Sequence, residues 1–147
     1  MIKAITHTED AMEFLKRRSD EIYALTRIVV GFLFMCHGLD KLDFLLAGRS
    51  FAGYAAGYAQ MPLPLGWVTA MIETLAGAAV MLGFSAGVAA FVASGMMAVA
   101  YFMVHQKDGL LPIQNHGELA VLYCWAFLLI ASRDSGRWSI DAARGAR

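Results

Sequence analysis

The clearest pattern along the chain is a series of long apolar runs separated by short polar stretches. Of the twelve acidic and twelve basic residues, only Glu73 lies between Trp67 and Val104. A helix needs about 20 apolar residues to cross a hydrocarbon core of about 30 Å. The stretch is long enough for two crossings, and Gly83 and Gly87 flank the only place for a turn. The pattern predicts a tight helical hairpin that crosses a membrane twice.

Two further apolar runs flank this hairpin. The upstream run, Ile22–Leu39, is interrupted by Arg27 and His37, and the downstream run is Gly117–Ser132. The downstream run is short for a crossing unless Glu118 sits at the interface. The sequence therefore predicts an all-α, integral membrane four-helix bundle, with spans at about 22–41, 67–84, 86–105 and 117–132.

The polar stretch before the first span has the pattern of a surface helix. Thr6 and Glu9 have the spacing of a capping box, and Met12, Leu15 and Ile22 recur on one side of the helix. We expect an N-terminal amphipathic surface helix within a cytoplasmic segment at 1–21, a membrane domain at 22–135 and a cytoplasmic tail at 136–147. A solvated helix stays open as the alternative for the first segment.

Composition narrows the class of protein further. The chain of 147 residues is 59% hydrophobic and 16% charged, whereas soluble domains carry roughly 25% charged residues. Its net charge of +0 gives no basic excess for nucleic acid. Cys36 and Cys124 lie far apart without metal-ligand spacing, so we predict neither a disulfide framework nor a metal site.

The distribution of basic residues predicts the orientation. With four spans, both termini share one side, and that side holds nine of the twelve basic residues. By the positive-inside tendency, both termini are cytoplasmic and the loops at 40–66 and 106–116 face outward. Tyr54 and Tyr58 have helical spacing in the first loop, which predicts a short interfacial helix that ends before Pro62 and Pro64.

Polar residues inside the spans are the candidate functional groups, because lipid solvates them poorly. Arg27, His37 and Lys41 share one side of the first helix with Gly31, Phe34 and Gly38. Arg27 is about 21 Å along the helix from Lys41, so we expect it to be a separate, snorkelling anchor. We assign structural or interface roles to four residues: Arg27, Trp67, Gly83 and Gly87.

Every span contributes an ionisable or hydrogen-bonding group to the outer half of the bundle. These groups predict a polar pocket there, with the candidate residues His37, Lys41, Glu73, Tyr101, His105 and Glu118. Two simpler roles stay open. Lys41 and Glu73 could form a structural ion pair, and His105 and Glu118 could be ordinary interfacial residues. No residue is assigned a catalytic role.

Several short motifs resemble the DoxX family in their order and spacing. The resemblance covers roughly Arg27 to Asp141. Its motifs are Arg27–Gly31, His37–Lys41, Pro62–Pro64, Glu73–Gly77, Leu82–Gly83, Gly117–Glu118 and Gly136–Asp141. The polar positions of the family fall on His37, Lys41, Glu73 and Glu118.

The resemblance implies a four-helix protein of the bacterial cytoplasmic (inner) membrane, associated with redox chemistry. Named members are small subunits of quinone-linked oxidoreductases such as thiosulfate:quinone systems. The first hypothesis is thus a subunit or accessory of such an enzyme that interacts with quinone. Under this hypothesis the protein carries no redox cofactor of its own, so its electrons come from a larger membrane redox partner.

Two alternatives remain open. The first is a non-catalytic assembly or interaction subunit, whose small-residue faces at Gly83, Gly87, Gly95 and Ala98 bind another membrane protein or a second copy of this chain. The second alternative is a small-molecule or proton-coupled carrier.

Overall fold

The structure is a computed structural model that describes residue 10 and residues 12–145. Over these residues all regular elements are helical, which confirms the predicted all-α membrane bundle. The helices are α1 (Ser19–Ala47), α2 (Ala55–Ala59), α3 (Leu63–Leu82), α4 (Ala86–Ala100), α5 (Glu118–Arg133) and α6 (Ile140–Ala143). A π-helical turn, Tyr101–His105, and a 3-10 turn, Gln106–Asp108, extend α4.

Three of the described helices are long and apolar enough to cross a membrane: Ser19–Ala47, Leu63–Leu82 and Ala86–Asp108. With 16 residues, α5 spans only about 24 Å. It nevertheless packs along α4 and exposes large apolar side chains such as Leu122 and Trp125. Like the three longer helices, α5 therefore presents an outer surface suited to lipid.

Two spans are longer than the predicted 22–41 and 67–84. Polar residues do not end α1 at Lys41. The helix continues to Gly48, whose backbone N–H donates to the carbonyl of Phe44 at φ +68°. At the start of α3, Pro62 is the N-cap and Pro64 lies in the first turn, where no N–H donor is needed. The second span therefore begins before Trp67, which is half-buried.

The turn between α3 and α4 confirms the predicted tight hairpin. Gly83 adopts φ +68°, and the N–H of Phe84 donates to the carbonyl of Ala79 at 2.9 Å. This is the pattern of a left-handed helix C-cap. Only Gly83, Phe84 and Ser85 separate α3 from α4, so the two helices must lie side by side.

Glycines set the closest helix contact, between α1 and α3. A Cβ at Gly31 would lie 2.5 Å from the backbone nitrogen of Met81, and one at Gly77 would lie 2.6 Å from that of Met35. A Cβ at Gly38 would collide with Thr74. Small residues let membrane helices approach closely, so α1 and α3 form one tightly packed pair.

Arg27 corrects one prediction, since it does not snorkel. Its side chain is 0% exposed, and Nη1 donates to the carbonyls of Val80 and Met81. Nη2 donates to the carbonyl of Trp138 at 2.8 Å and to that of Arg137 at 3.4 Å. Arg27 therefore satisfies the last carbonyls of α3 and ties the C-terminal segment to the bundle.

The described part of the predicted tail folds back onto the α3–α4 turn. Asp141 accepts hydrogen bonds from the N–H of Ser85 at 2.7 Å and from the hydroxyl of Ser135. Asp134 accepts from the N–H of Gly87 at 3.2 Å. Carboxylates are favourable at a helix N-terminus, so these contacts stabilise the start of α4.

Much of the predicted amphipathic segment at 1–21 lies outside the described residues. Residues 12–17 are helical. Met12, Leu15 and Ile22 line one shallow surface groove together with Leu129 of α5. Met12, Leu15 and Ile22 thus share one face, whereas the exposed Phe14 lies on another face of the same helix.

We predict that Gly31→Ala lowers the thermal unfolding temperature of the purified protein in detergent. The added methyl group collides with the backbone of α3, and overpacking of this kind costs about 1–3 kcal/mol. The matched control is Gly95→Ala on α4, where a Cβ meets nothing within 4 Å. The control should be neutral or stabilising, and an equal loss in both variants would contradict the tight α1–α3 contact.

Candidate functional site

A cavity of about 330 Å³ lies at the end of the bundle that carries Lys41, opposite the end that carries Arg27. Three of the four histidines of the chain line it, together with three tyrosines and a buried ion pair. We call this the polar cavity; its hydrogen-bonding and ionisable lining residues are His37, His105, His116, Tyr54, Tyr58, Tyr123, Lys41 and Glu73.

The ion pair between Lys41 and Glu73 lies in the wall of the polar cavity. The Nζ of Lys41 donates to both carboxylate oxygens of Glu73, at 2.9 and 2.8 Å, and to the hydroxyl of Thr69 at 3.2 Å. The two residues are 7% and 8% exposed. Removing either partner would leave a buried charge without its counter-charge, so the two residues must be considered as one unit.

The glycine contact between α1 and α3 brings this pair together. Gly38 packs directly against Thr74 and the carbonyl of Ala70, which places the backbones of α1 and α3 against each other. Lys41 lies one helical turn beyond His37, and Glu73 lies next to Thr74. The same close approach therefore positions both charged side chains.

Aromatic rings enclose His37 and form the inner wall of the polar cavity. The ring centroid of His37 lies 5.9 Å from that of Tyr54 on α2 and 6.0 Å from that of Tyr123 on α5. One helical turn before His37, Phe34 packs against Phe127 with their ring centroids 4.6 Å apart. The cavity therefore combines an apolar inner wall with a hydrogen-bonding rim.

Asp40 is an important residue that sequence reasoning did not assign. Its carboxylate is 0% exposed and accepts hydrogen bonds from the hydroxyl of Ser50 and the N–H of Ala52, both at 2.8 Å. Burial and the adjacent carboxylate of Asp40 raise the pKa of Tyr58. Asp40 thus fixes the segment before α2.

Tyr101 lies beside the polar cavity and does not line it. Its hydroxyl donates to the carbonyl of Leu110 at 2.9 Å, and its ring stacks on His105 at 6.5 Å. The side-chain amide of the buried Asn115 donates to the carbonyl of Gly109 at 2.7 Å. The backbone carbonyl of Asn115 lies 3.1 Å from Nδ1 of His105. Tyr101 and Asn115 therefore hold His105 and the loop before α5 in place.

The structure separates Glu118 from the other candidates. It is exposed at the first residue of α5 and does not line the polar cavity. Its place on the rim is taken by His116, which adopts a left-handed conformation at φ +56°. The sequence places His116 beside Glu118 at the outer start of the last span, but it does not show which of the two side chains lines the cavity.

The assembled groups can recognise a planar molecule with carbonyl or hydroxyl oxygens. Lys41, Tyr58 and the histidines carry N–H and O–H groups that can donate hydrogen bonds, and the histidine ring nitrogens can also accept them. Among the residues that the structure describes, no three His, Cys, Asp or Glu side chains are grouped to hold a metal ion.

We predict that Asp40→Ala accelerates hydrogen exchange of the Ala52 amide. A hydrogen bond to a charged group contributes about 1.5–3 kcal/mol, so exchange should become roughly tenfold faster or more. The control is Asp43→Ala, which removes only an exposed ion pair with Arg49 at 2.7 Å. Unchanged protection of Ala52 in Asp40→Ala would show that Asp40 does not anchor this segment.

Comparison with known proteins identifies the family. An uncharacterized protein of Haemophilus influenzae is 34% identical over 133 residues, which cover 88% of this chain and 96% of that protein. No solved structure gives a significant match. The model of the DoxX family matches residues 22–106, a range that includes His37, Lys41, Glu73 and the π-helical turn. The resemblance predicted from the motifs is thus confirmed, and the chain belongs to the DoxX family.

Proposed function

We propose that this protein is a quinone-binding small subunit of a membrane oxidoreductase in the bacterial cytoplasmic membrane. The observation that carries the proposal is the polar cavity. Hydrogen-bond donors and proton-exchanging side chains from α1, α3 and the extension of α4 meet there beside an apolar inner wall. This combination suits a planar head group with two carbonyl oxygens.

Within the polar cavity, each group has a separate task. Lys41 donates to an oxygen of the head group by turning one N–H away from Thr69, and Tyr58 does so by turning its hydroxyl away from Asp40. Phe34 and Leu119 provide apolar surface for the ring. A bound quinone would supply the capacity to take up two electrons and two protons. His37 and His105 are the residues whose ring nitrogens can hold or pass those protons.

Glu73 fixes the position of the Lys41 ammonium group. The carboxylate holds the ammonium group by two hydrogen bonds, so the amine is not free to extend toward lipid or water. A fixed donor loses less conformational freedom when it binds a ligand than a mobile lysine would. Electrons reach this site from a cofactor of a partner protein.

The interaction-subunit alternative loses part of its proposed surface. A Cβ at Gly83 would collide with Ser139, and one at Gly87 would lie 2.9 Å from the carboxylate of Asp134. Both glycines therefore serve contacts within this chain. The rest of the proposed surface, at Gly95 and Ala98, stays open to a partner protein, as do other apolar faces such as the exposed surface of α5.

We predict that the double variant Lys41→Met/Glu73→Leu stays folded and loses quinone binding. Replacing a buried ion pair by apolar residues of similar size is often neutral or stabilising. Affinity for decylubiquinone, measured by titration in nanodiscs, should fall roughly tenfold or more because a charged donor is lost. The single variant Glu73→Gln should instead lose about 3–5 kcal/mol of stability.

The control for this experiment is Ser94→Ala. Ser94 is a buried polar residue that donates to the carbonyl of Cys124, outside the polar cavity. The control should bind decylubiquinone like the wild type. If the double variant is folded and also binds like the wild type, the ion pair is purely structural and the proposed role is wrong.

The proposed orientation places both termini in the cytoplasm and the polar cavity on the periplasmic side. We predict that a membrane-impermeant maleimide labels Lys107→Cys in intact cells and does not label Ala143→Cys. Both positions are exposed, at opposite ends of the bundle, and the background has Cys36 and Cys124 replaced. The reverse labelling pattern would invert the topology.

A further inference from the structure

A second, mostly apolar groove lies between α3 and α4, on the side of the bundle. It has a volume of about 550 Å³ and runs between Leu65 and Glu73 on α3 and between Phe91 and Ala100 on α4. Val68 and Val92, which lie on its edges, are 55% and 47% exposed. The groove therefore opens on the outer surface of the bundle, within the two membrane-spanning helices.

This groove and the polar cavity meet at the ion pair. Four residues line both spaces: Lys41, Glu73, Met97 and His105. Apart from these and Thr69, the side chains that line the groove are apolar. The groove thus has one charged end, where it reaches the polar cavity, and one apolar end, where it reaches lipid.

Gly95 makes room for this groove. It lies in the wall of the groove on α4, and a Cβ there would meet nothing within 4 Å. By contrast, Gly31 and Gly77 are packed against the backbone of a neighbouring helix. Gly95 is therefore not needed for helix packing, and its missing side chain leaves open space beside Met96.

We propose that the groove between α3 and α4 holds the hydrocarbon chain of the same quinone whose head group occupies the polar cavity. The inference rests on the proposed function and narrows its substrate class to quinones with a long isoprenoid or alkyl side chain. Such a molecule enters the groove sideways from the bilayer. The natural ligand is therefore a lipid-soluble quinone and not a water-soluble one.

Charge is what selects this occupant over an ordinary lipid chain. A buried ion pair at the end of an apolar groove is poorly solvated by hydrocarbon alone. A molecule whose polar head continues past Lys41 and Glu73 into the polar cavity would place hydrogen-bonding atoms beside them and apolar atoms along Val68 and Val92. The two spaces match the two halves of a lipid-soluble quinone.

The test uses the full-length protein in phosphatidylcholine nanodiscs and a decyl benzoquinone that carries a diazirine on its chain. After illumination, mass spectrometry locates the labelled residues. We expect labels on Met96, Met103 and their neighbours in the groove. Labelling should be displaced by 2,3-dimethoxy-5-methyl-1,4-benzoquinone, which has the head group and no chain.

Gly95→Leu and Val68→Phe fill the groove from α4 and from α3. Both should abolish labelling in the groove while the head-only quinone binds as tightly as it does to the wild type. The control is Gly57→Leu, the same chemical change at an open position outside the groove. It should leave the labelling unchanged.

Four results would overturn the inference, and they differ in what they say about the proposed function. In the first two results the head-only quinone still binds. If the labels are spread over all helices, or if both groove variants keep the labels, only the proposed site for the hydrocarbon chain is wrong. Labelling of the groove by a diazirine phospholipid that the head-only quinone does not displace makes it a lipid site. If neither quinone binds the wild-type protein, the proposed function fails as well.

Discussion

Two opposite charges buried among membrane helices are stable only when each is held against the other. In this protein that requirement falls on Lys41 and Glu73, whose ammonium and carboxylate groups meet at 2.8 Å with little exposure. The pair forms because Gly38 lets α1 approach α3 to backbone contact at the same level of the bundle. The polar cavity then opens on one side of the pair and the apolar groove on the other. Packing, electrostatics and the proposed binding chemistry therefore meet at this contact between α1 and α3.

The opposite end of the bundle solves a similar problem by a different route. Among the described residues, the acceptors of the Arg27 hydrogen bonds are backbone carbonyls of α3 and of the C-terminal segment, and none is a carboxylate. Asp134 and Asp141 in turn cap the first residues of α4. This end also borders an open volume of about 930 Å³, whose lining residues Asp134, Ser135 and Asp141 already bond to other parts of the chain. At the Lys41 end, the open volume is lined by histidine and tyrosine side chains and by a buried ion pair. This difference in lining is why we place ligand chemistry there.

The all-α membrane bundle and the meeting of His37, Lys41 and Glu73 within it could be predicted because they depend on local periodicity. The absence of charge around Glu73 and the one-sided spacing of His37 and Lys41 determine which helices cross and which faces meet. The features that could not be predicted depend on distant partners or on backbone conformation. Arg27 looked like a surface anchor because its acceptors lie more than 50 residues away. The role of Asp40 depends on the loop that folds over it, which the sequence pattern does not show. The π-helical turn that leads to His105 contains no proline or glycine from which it could be predicted.

The most direct test of the account is the infrared spectrum of a quinone labelled with ¹³C at its carbonyl carbons and bound to the protein in nanodiscs. A hydrogen bond from Lys41 weakens the carbonyl bond and lowers its stretching frequency relative to the same quinone in empty nanodiscs. We predict this lowering in the wild-type protein and its loss in the folded Lys41→Met/Glu73→Leu variant. A carbonyl frequency equal to that in lipid alone, or a lowered frequency that the double variant keeps, would contradict the central role given to the ion pair.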